Sequence, residues 1–254
     1  MSQNVLVVHG GGPTAVINAS LYGVIEEAKR NPEVGKVYGA IGGTGAIFSE
    51  TFIDLTSFDD EKLKLLLHTP ASAIGSSRYP LYEKDYEKMV DIFKKHDIKY
   101  VLLNGGNGTM DACGHIYEVC KDQDIKVVGI PKTIDNDIAM TDHSPGYGSA
   151  ARFIAASTQE VGEDVKSLPI HVCIMEAMGR NAGWITAASA LARRKQGDAP
   201  HLIYLPERNF NEDEFLEDVS RLQKKQGGVV VLVSEGLHDA NGESIVPPIF
   251  KSER

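Results

Sequence analysis

Lys132, Thr133, Asp135 and Asp137 stand together in the run Pro131-Lys-Thr-Ile-Asp-Asn-Asp137. Two carboxylates two positions apart, beside an ammonium and a hydroxyl, suit the transfer of a phosphoryl group to an alcohol. That reaction needs a carboxylate to take the hydroxyl proton, groups that offset charge on the moving phosphoryl, and Mg2+. A lone aspartate at a strand end is more often a helix cap or turn former. Here the neighbours reverse that reading, because Val101-Leu-Leu-Asn-Gly-Gly-Asn-Gly-Thr109 precedes the run. Gly105, Gly106 and Gly108 fall where an apolar strand turns into a helix, and bare backbone amides at such a junction bind anions. Gly10 to Gly12 repeat the design near the start of the chain, where plain packing is the competing explanation. Arg78, inside Gly75-Ser-Ser-Arg-Tyr-Pro80, either forks onto a phosphate or is a solvated loop arginine. The eight histidines are scattered and form no constellation, and Met178 and Trp184 read as packing residues.

These groups need strand ends to hold them. The pattern predicts strands at Val5 to Val8, Lys36 to Gly42, a run ending at Asn104, Ile125 to Ile130, Ile170 to Met175, His201 to Leu205 and Val229 to Val233. Helical spacing is predicted between them, including an amphipathic helix over Asp85 to His96 and an alanine-rich one running to about Arg194. A hairpin is expected around Asn241-Gly242. Alternating strand and helix implies α/β architecture with parallel sheets covered by helices on both faces. A soft boundary near Ala139 divides a lobe of residues 1–139 from one of residues 140–254. The segment Pro247 to Arg254 ends where a two-lobed chain would be expected to return to its first lobe.

A chain of 254 residues with 42% apolar and 24% charged residues is an ordinary globular composition. A net charge of -9 without a concentrated basic block argues against nucleic acid as a partner. No leader or membrane-length apolar run is present, so a cytoplasmic location is expected. Cys113, Cys120 and Cys173 have no metal-type spacing and read as reduced thiols.

Gly-Gly-Asn-Gly-Thr at 105 to 109, Pro-Lys-Thr-Ile-Asp-Asn-Asp at 131 to 137, Met-Gly-Arg at 178 to 180 and Ser-Glu-Gly at 234 to 236 resemble, in order and spacing, the 6-phosphofructokinase family. The likeness covers essentially the whole chain. It implies a two-lobed, Rossmann-like fold and phosphoryl transfer from ATP or pyrophosphate to the 1-hydroxyl of fructose 6-phosphate, with Mg2+, in a homo-oligomer such as a dimer or tetramer. Under that resemblance Asp135 is the general base, Asp137 contacts sugar or metal, Thr133 holds the transferred group, and Arg180 and Lys132 offset its charge. Met178, Gly179, Glu235 and His171 fall at sugar-contact positions. Gly12, Arg78, Gly105, Gly106, Gly108 and Thr109 surround the donor phosphates, and Asn107 stands at the metal position.

The departures from the pattern bear on the donor. Asn107 replaces an aspartate of many relatives, lowering the charge available to Mg2+. Gly108 leaves room for the inner phosphates of a nucleotide, whereas Lys132 resembles pyrophosphate users. ATP is the expected donor and pyrophosphate the alternative. His171 falls where many relatives carry an arginine that reaches a neighbouring subunit's sugar phosphate. Relatives also run well beyond this length, which implies a missing return to the first lobe. A non-catalytic phosphosugar or nucleotide sensor is the second reading. A dinucleotide oxidoreductase is the third, and it lacks Gly-x-Gly-x-x-Gly.

Overall fold

A computed structural model describes residues 3–245, so the expected end segment Pro247 to Arg254 lies outside the described residues. The chain divides into two compact units, Met1–Thr133 and Ile134–Arg254. The division falls before the expected boundary near Ala139, because Ile134 packs into the core of the second unit.

The first unit runs β1 (Gln3–Gly10), α1 (Ala15–Arg30), β2 (Val34–Ala40), α2 (Gly45–Phe48), β3 (Phe52–Asp54), α3 (Asp60–Lys64), α4 (Glu83–Lys95), β4 (Ile98–Gly105), α5 (Asn107–Cys120) and β5 (Lys126–Pro131). The five strands form one sheet in the order β3-β2-β1-β4-β5. Strand β1 is central and both its faces are buried, so it reads as an apolar run rather than an alternation. Val5 and Val7 pack with Leu21 and Ile25 of α1. Leu6 and Val8 point the other way, into a core with Met89 and Phe93 of α4 and Ile116 of α5. β2, β1, β4 and β5 run parallel, and β3 pairs antiparallel with β2. The sheet is thus parallel except at this edge. Residues 41–51 are too few for the crossover of a dozen or more residues that a parallel return requires.

The second unit runs α6 (Tyr147–Ser167), β6 (Val172–Ala177), α7 (Trp184–Ala188), β7 (Leu202–Tyr204), α8 (Glu212–Gln226) and β8 (Val229–Ser234). Its three strands are parallel in the order β6-β8-β7. Val230 and Leu232 of β8 pack with Ala151 and Ile154 of α6 and with Ile185 of α7. The helix expected to run to about Arg194 is shorter: α7 tightens into a 3-10 turn over Ser189–Ala192, and Arg193 is extended with its Nε donating to the Pro200 carbonyl at 2.6 Å. The expected hairpin is present, with Gly242 at φ +81° and a bridge between His238 and Ser244. Among the described residues no helix is long and apolar enough to cross a membrane, and the three cysteines are unpaired.

Candidate active site

The first unit ends its parallel strands in glycine. β1 and β4 lie in register up to Gly10 opposite Gly105. A Cβ on Gly10 would come within 2.3 Å of the Thr109 Oγ1, and one on Gly105 within 2.4 Å of the same atom and 2.5 Å of the Gly10 carbonyl. The buried Thr109 hydroxyl thus occupies the space that side chains would claim, and the two backbones close together only as glycine. Above this packing the turn opens. Gly11 has φ +74°, in the left-handed region, and a Cβ there would lie 3.9 Å from the Gly106 amide. Gly12 and Gly108 have open space where a side chain would be. Helix α5 begins at Asn107, so its positive end lies at this turn. The cation is supplied from beneath: Lys132 is buried, and its Nζ donates to the Gly12 carbonyl.

A third wall comes from residues 72–78. Ser76 Oγ donates to the Gly11 carbonyl at 2.7 Å, the Gly11 amide donates to Ser77 O at 3.1 Å, and Ser77 Oγ lies 3.3 Å from Thr44 Oγ1. Arg78 follows at once and is exposed. Together these groups gather backbone amides and a fixed ammonium around one glycine turn, an arrangement suited to a phosphate or diphosphate.

In the second unit the carboxylates flank a strained residue. Asn136 has φ +59°, a left-handed conformation that asparagine tolerates better than most residues. Its Oδ1 accepts from the Ser144 amide at 2.7 Å and its Nδ2 donates to the Asp142 carbonyl at 3.3 Å. The half-buried Asp135 and Asp137 stand before and after this anchored kink in the chain. At the ends of β6 and β8 two turns interlock. Ser234 Oγ donates to the Gly179 carbonyl at 2.8 Å, and the Gly179 amide donates to Glu235 Oε1 at 3.2 Å. A Cβ on Gly236 would fall 1.7 Å from the Arg180 carbonyl, so the close approach demands glycine. Arg180 and Met178 are exposed on the outside of these turns.

The expected residues therefore fall into groups. Gly12, Gly105, Gly106, Asn107, Gly108, Thr109, Lys132 and the Arg78 segment gather at the strand ends of the first unit, with Gly105 and Thr109 serving as packing under the open turn. Met178, Gly179, Arg180 and Glu235 gather at the ends of β6 and β8. His171 does not join them: it precedes β6, at the opposite end of the strand from Met178, roughly 20 Å away at the rise of an extended chain. Among the described residues no group of three or more His, Cys, Asp or Glu forms a metal cage. The donor set still fits Mg2+, which keeps several waters and binds through substrate phosphates plus one or two protein oxygens. Asn107, exposed at the start of α5, offers such an oxygen.

Sequence reasoning missed Ser76, Ser77, Thr44, Asn136 and His9. Asn136 carried a signal, since asparagine between two carboxylates is a left-handed candidate. The serines carried none beyond their place beside Arg78.

A model of the family described as Phosphofructokinase matches residues 4–253. The chain is 44% identical over 244 residues to the pyrophosphate--fructose 6-phosphate 1-phosphotransferase of Rhodospirillum rubrum, spanning 95% of this chain and 60% of that protein. It is 30% identical over 247 residues to an ATP-dependent 6-phosphofructokinase of Amycolatopsis methanolica, spanning 93% of this chain and 52% of that one. The solved pyrophosphate-dependent phosphofructokinase of Nitrosospira multiformis superposes with a TM-score of 0.87 at 38% identity, over 96% of this chain and 63% of its own. The chain spans about 60% of the length of the relatives it matches at 40% identity or more.

Proposed function

The chain belongs to the phosphofructokinase family, and from that premise we propose that it serves transfer of a phosphoryl group from pyrophosphate to the 1-hydroxyl of fructose 6-phosphate. The observation that carries the choice of donor is Lys132, buried under the glycine cradle with its ammonium on the Gly12 carbonyl. A diphosphate has no nucleoside to anchor it, so a fixed cation at the floor of the cradle supplies binding and charge that ATP draws from its larger body. The relatives support the same donor. Those at 37% to 44% identity are named as pyrophosphate enzymes, and the ATP-dependent ones stand at 28% to 30%. Pyrophosphate is therefore preferred in this reading over the ATP expected from Gly108.

In this reading Asp135 takes the proton from the sugar hydroxyl, and Asn136 holds it at the angle this requires. Thr133 lies two peptide bonds away along the chain and holds the phosphoryl group in transit, while Arg180 and Lys132 offset its charge. Asp137, Met178, Gly179 and Glu235 contact the sugar, with Glu235 also fixing the Gly179 amide. Asn107 would offer an oxygen to Mg2+, which when bound would supply charge neutralisation for the donor. We place this chemistry in the cytoplasm, where the substrates of glycolysis are found.

The test is Mg2+-dependent formation of fructose 1,6-bisphosphate with pyrophosphate against ATP. A higher kcat/KM with pyrophosphate is expected. A higher value with ATP would instead favour ATP as the donor, a reading that rests on the open space at Gly108. Binding of fructose 6-phosphate and donor by calorimetry without product would leave a non-catalytic sensor.

A further inference from the structure

We infer that His9 is a positioning residue for the donor cradle: as a neutral imidazole carrying its proton on Nδ1, it ties residues 69–78 to the end of β1 and so sets where Ser76, Ser77 and Arg78 stand over the glycine turn. The inference rests on the reading of that turn as the donor site.

The position is unusual for its strand. The middle of β1, Val5-Leu-Val-Val8, is apolar and packed on both faces, yet a histidine with no exposed surface follows it immediately before the glycines. Burying an imidazole there costs about 1–3 kcal/mol unless its polar atoms are used. One is used: Nδ1 lies 2.8 Å from Ser72 Oγ. Ser72 spends its single hydroxyl proton on the Gly75 carbonyl at 2.8 Å, so towards His9 it accepts. His9 must therefore donate from Nδ1, which fixes the tautomer and leaves a lone pair on Nε2. That Nε2 is buried and has no hydrogen-bond partner. A second proton on Nε2 would find no acceptor, so the imidazole stays neutral.

The charged side chain acting on His9 is Lys132 at the end of β5, which opposes a second positive charge. Asn104, opposite His9 on β4, and Ser72 of the loop do not titrate. Burial, with Lys132 second, pushes the His9 pKa down to about 4, in keeping with the geometry.

What His9 holds is the wall of the cradle. Fully buried Asn18 of α1 donates to the carbonyls of Thr69 and Ala71 at 2.8 and 3.0 Å and accepts from the Ala73 amide at 2.8 Å. His9 and Asn18 thus grip consecutive residues from beneath. The Gly42 amide then takes the Ile74 carbonyl at 2.8 Å, Gly75 turns at φ +74°, and Ser76 and Ser77 meet Gly11. His9 and Gly11 are two residues apart on one rigid strand end, so a single element fixes both the turn and the loop that closes over it.

Three measurements test this. First, 15N shifts of the wild-type imidazole, read between pH 5 and 8, should show a neutral ring protonated on Nδ1; a ring protonated on Nε2, or a titration near the ordinary 6.5, overturns the inference. Second, His9→Leu should weaken Mg-pyrophosphate binding by about 10-fold, the scale of one buried hydrogen bond lost, with fructose 6-phosphate binding changed by less than about twofold. Equal loss for both substrates, or none for either, overturns it. Third, His9→Asn, which keeps a donor where Nδ1–H stood, should restore pyrophosphate affinity to within about threefold of wild type, and failure to do so also overturns it. If His9→Leu does not fold, the wild-type imidazole shifts and the Asn variant decide. A protein that shows the Nδ1 tautomer but binds neither pyrophosphate nor ATP would refute the donor-site reading and leave the link between His9 and Ser72 standing.

Discussion

The two units treat their strand ends in opposite ways. In the first, β1 and β4 finish in glycine, and the working surface is backbone amide, closed by Thr109 below and by Ser76 and Ser77 at the side. In the second, the working groups are side chains, Asp135, Asp137 and Arg180, each on a turn locked by hydrogen bonds from Asn136, Ser234 or Glu235. The difference suits the chemistry proposed for each. A polyanion is best met by many weak donors at short range, which requires bare backbone. A proton must go to one atom at one angle, which requires a carboxylate on a rigid support.

The contrast is broken most severely at Asp135. Asp135→Asn should lower turnover by about 100-fold or more, the scale of a lost general base, while pyrophosphate affinity measured by calorimetry stays within about threefold. Unchanged turnover would remove the chemical role from the second unit.

Next in size are the closed glycines. Gly236→Ala forces a Cβ to within 1.7 Å of the Arg180 carbonyl, and Gly105→Ala to within 2.5 Å of the Gly10 carbonyl, backbone in both cases. Each should cost about 2 kcal/mol or more in urea unfolding, with Gly236 the worse, because backbone cannot swing aside as a side chain can. Stability equal to wild type in either variant would mean these contacts are looser than described.

A third effect separates the units by pH. The folded-state pKa of His9 lies near 4, below the ordinary 6.5, so the folded state binds fewer protons than the unfolded state in that window. Its neutral form contributes stability that is complete above 6.5 and is lost as pH falls towards 4, by about 3 kcal/mol at 1.36 kcal/mol per unit. Denaturant midpoints measured across this range should fall with acid, and His9→Asn should flatten the slope. In the second unit His201 is shifted in the same direction, chiefly by burial, with its Nδ1 accepting from the Val230 amide at 2.8 Å, so a shallower loss of the same sign is expected there.

The smallest effect on folding carries the sharpest functional contrast. Gly108→Asp enters open space, so stability should move by less than about 0.5 kcal/mol. Its carboxylate should nevertheless lower kcat/KM for ATP more than for pyrophosphate. Equal loss for both donors would show that Gly108 does not sort them.

Much of this was legible in the residues themselves. The strand run into Gly105, the glycine turns, the carboxylate pair and the Asn241-Gly242 turn are local signals, because a buried parallel strand is an apolar run and a tight turn names its residues. Less legible was what lies under those signals. Gly105 looked like an anion contact and is also required by Thr109. His9 looked like one of eight scattered histidines until Ser72, far along the chain, was found beside it. β3 turned back antiparallel, since connection length rather than strand propensity decides direction.

The amino-acid order by itself determined the family, the alternation of strand and helix, and which residue types stand at the strand ends, since these depend on near neighbours and period. Tertiary structure alone decided which glycines are closed and which open, and which nitrogen of His9 carries the proton. Those properties depend on atoms brought together from distant parts of the chain, and no local pattern encodes such a meeting.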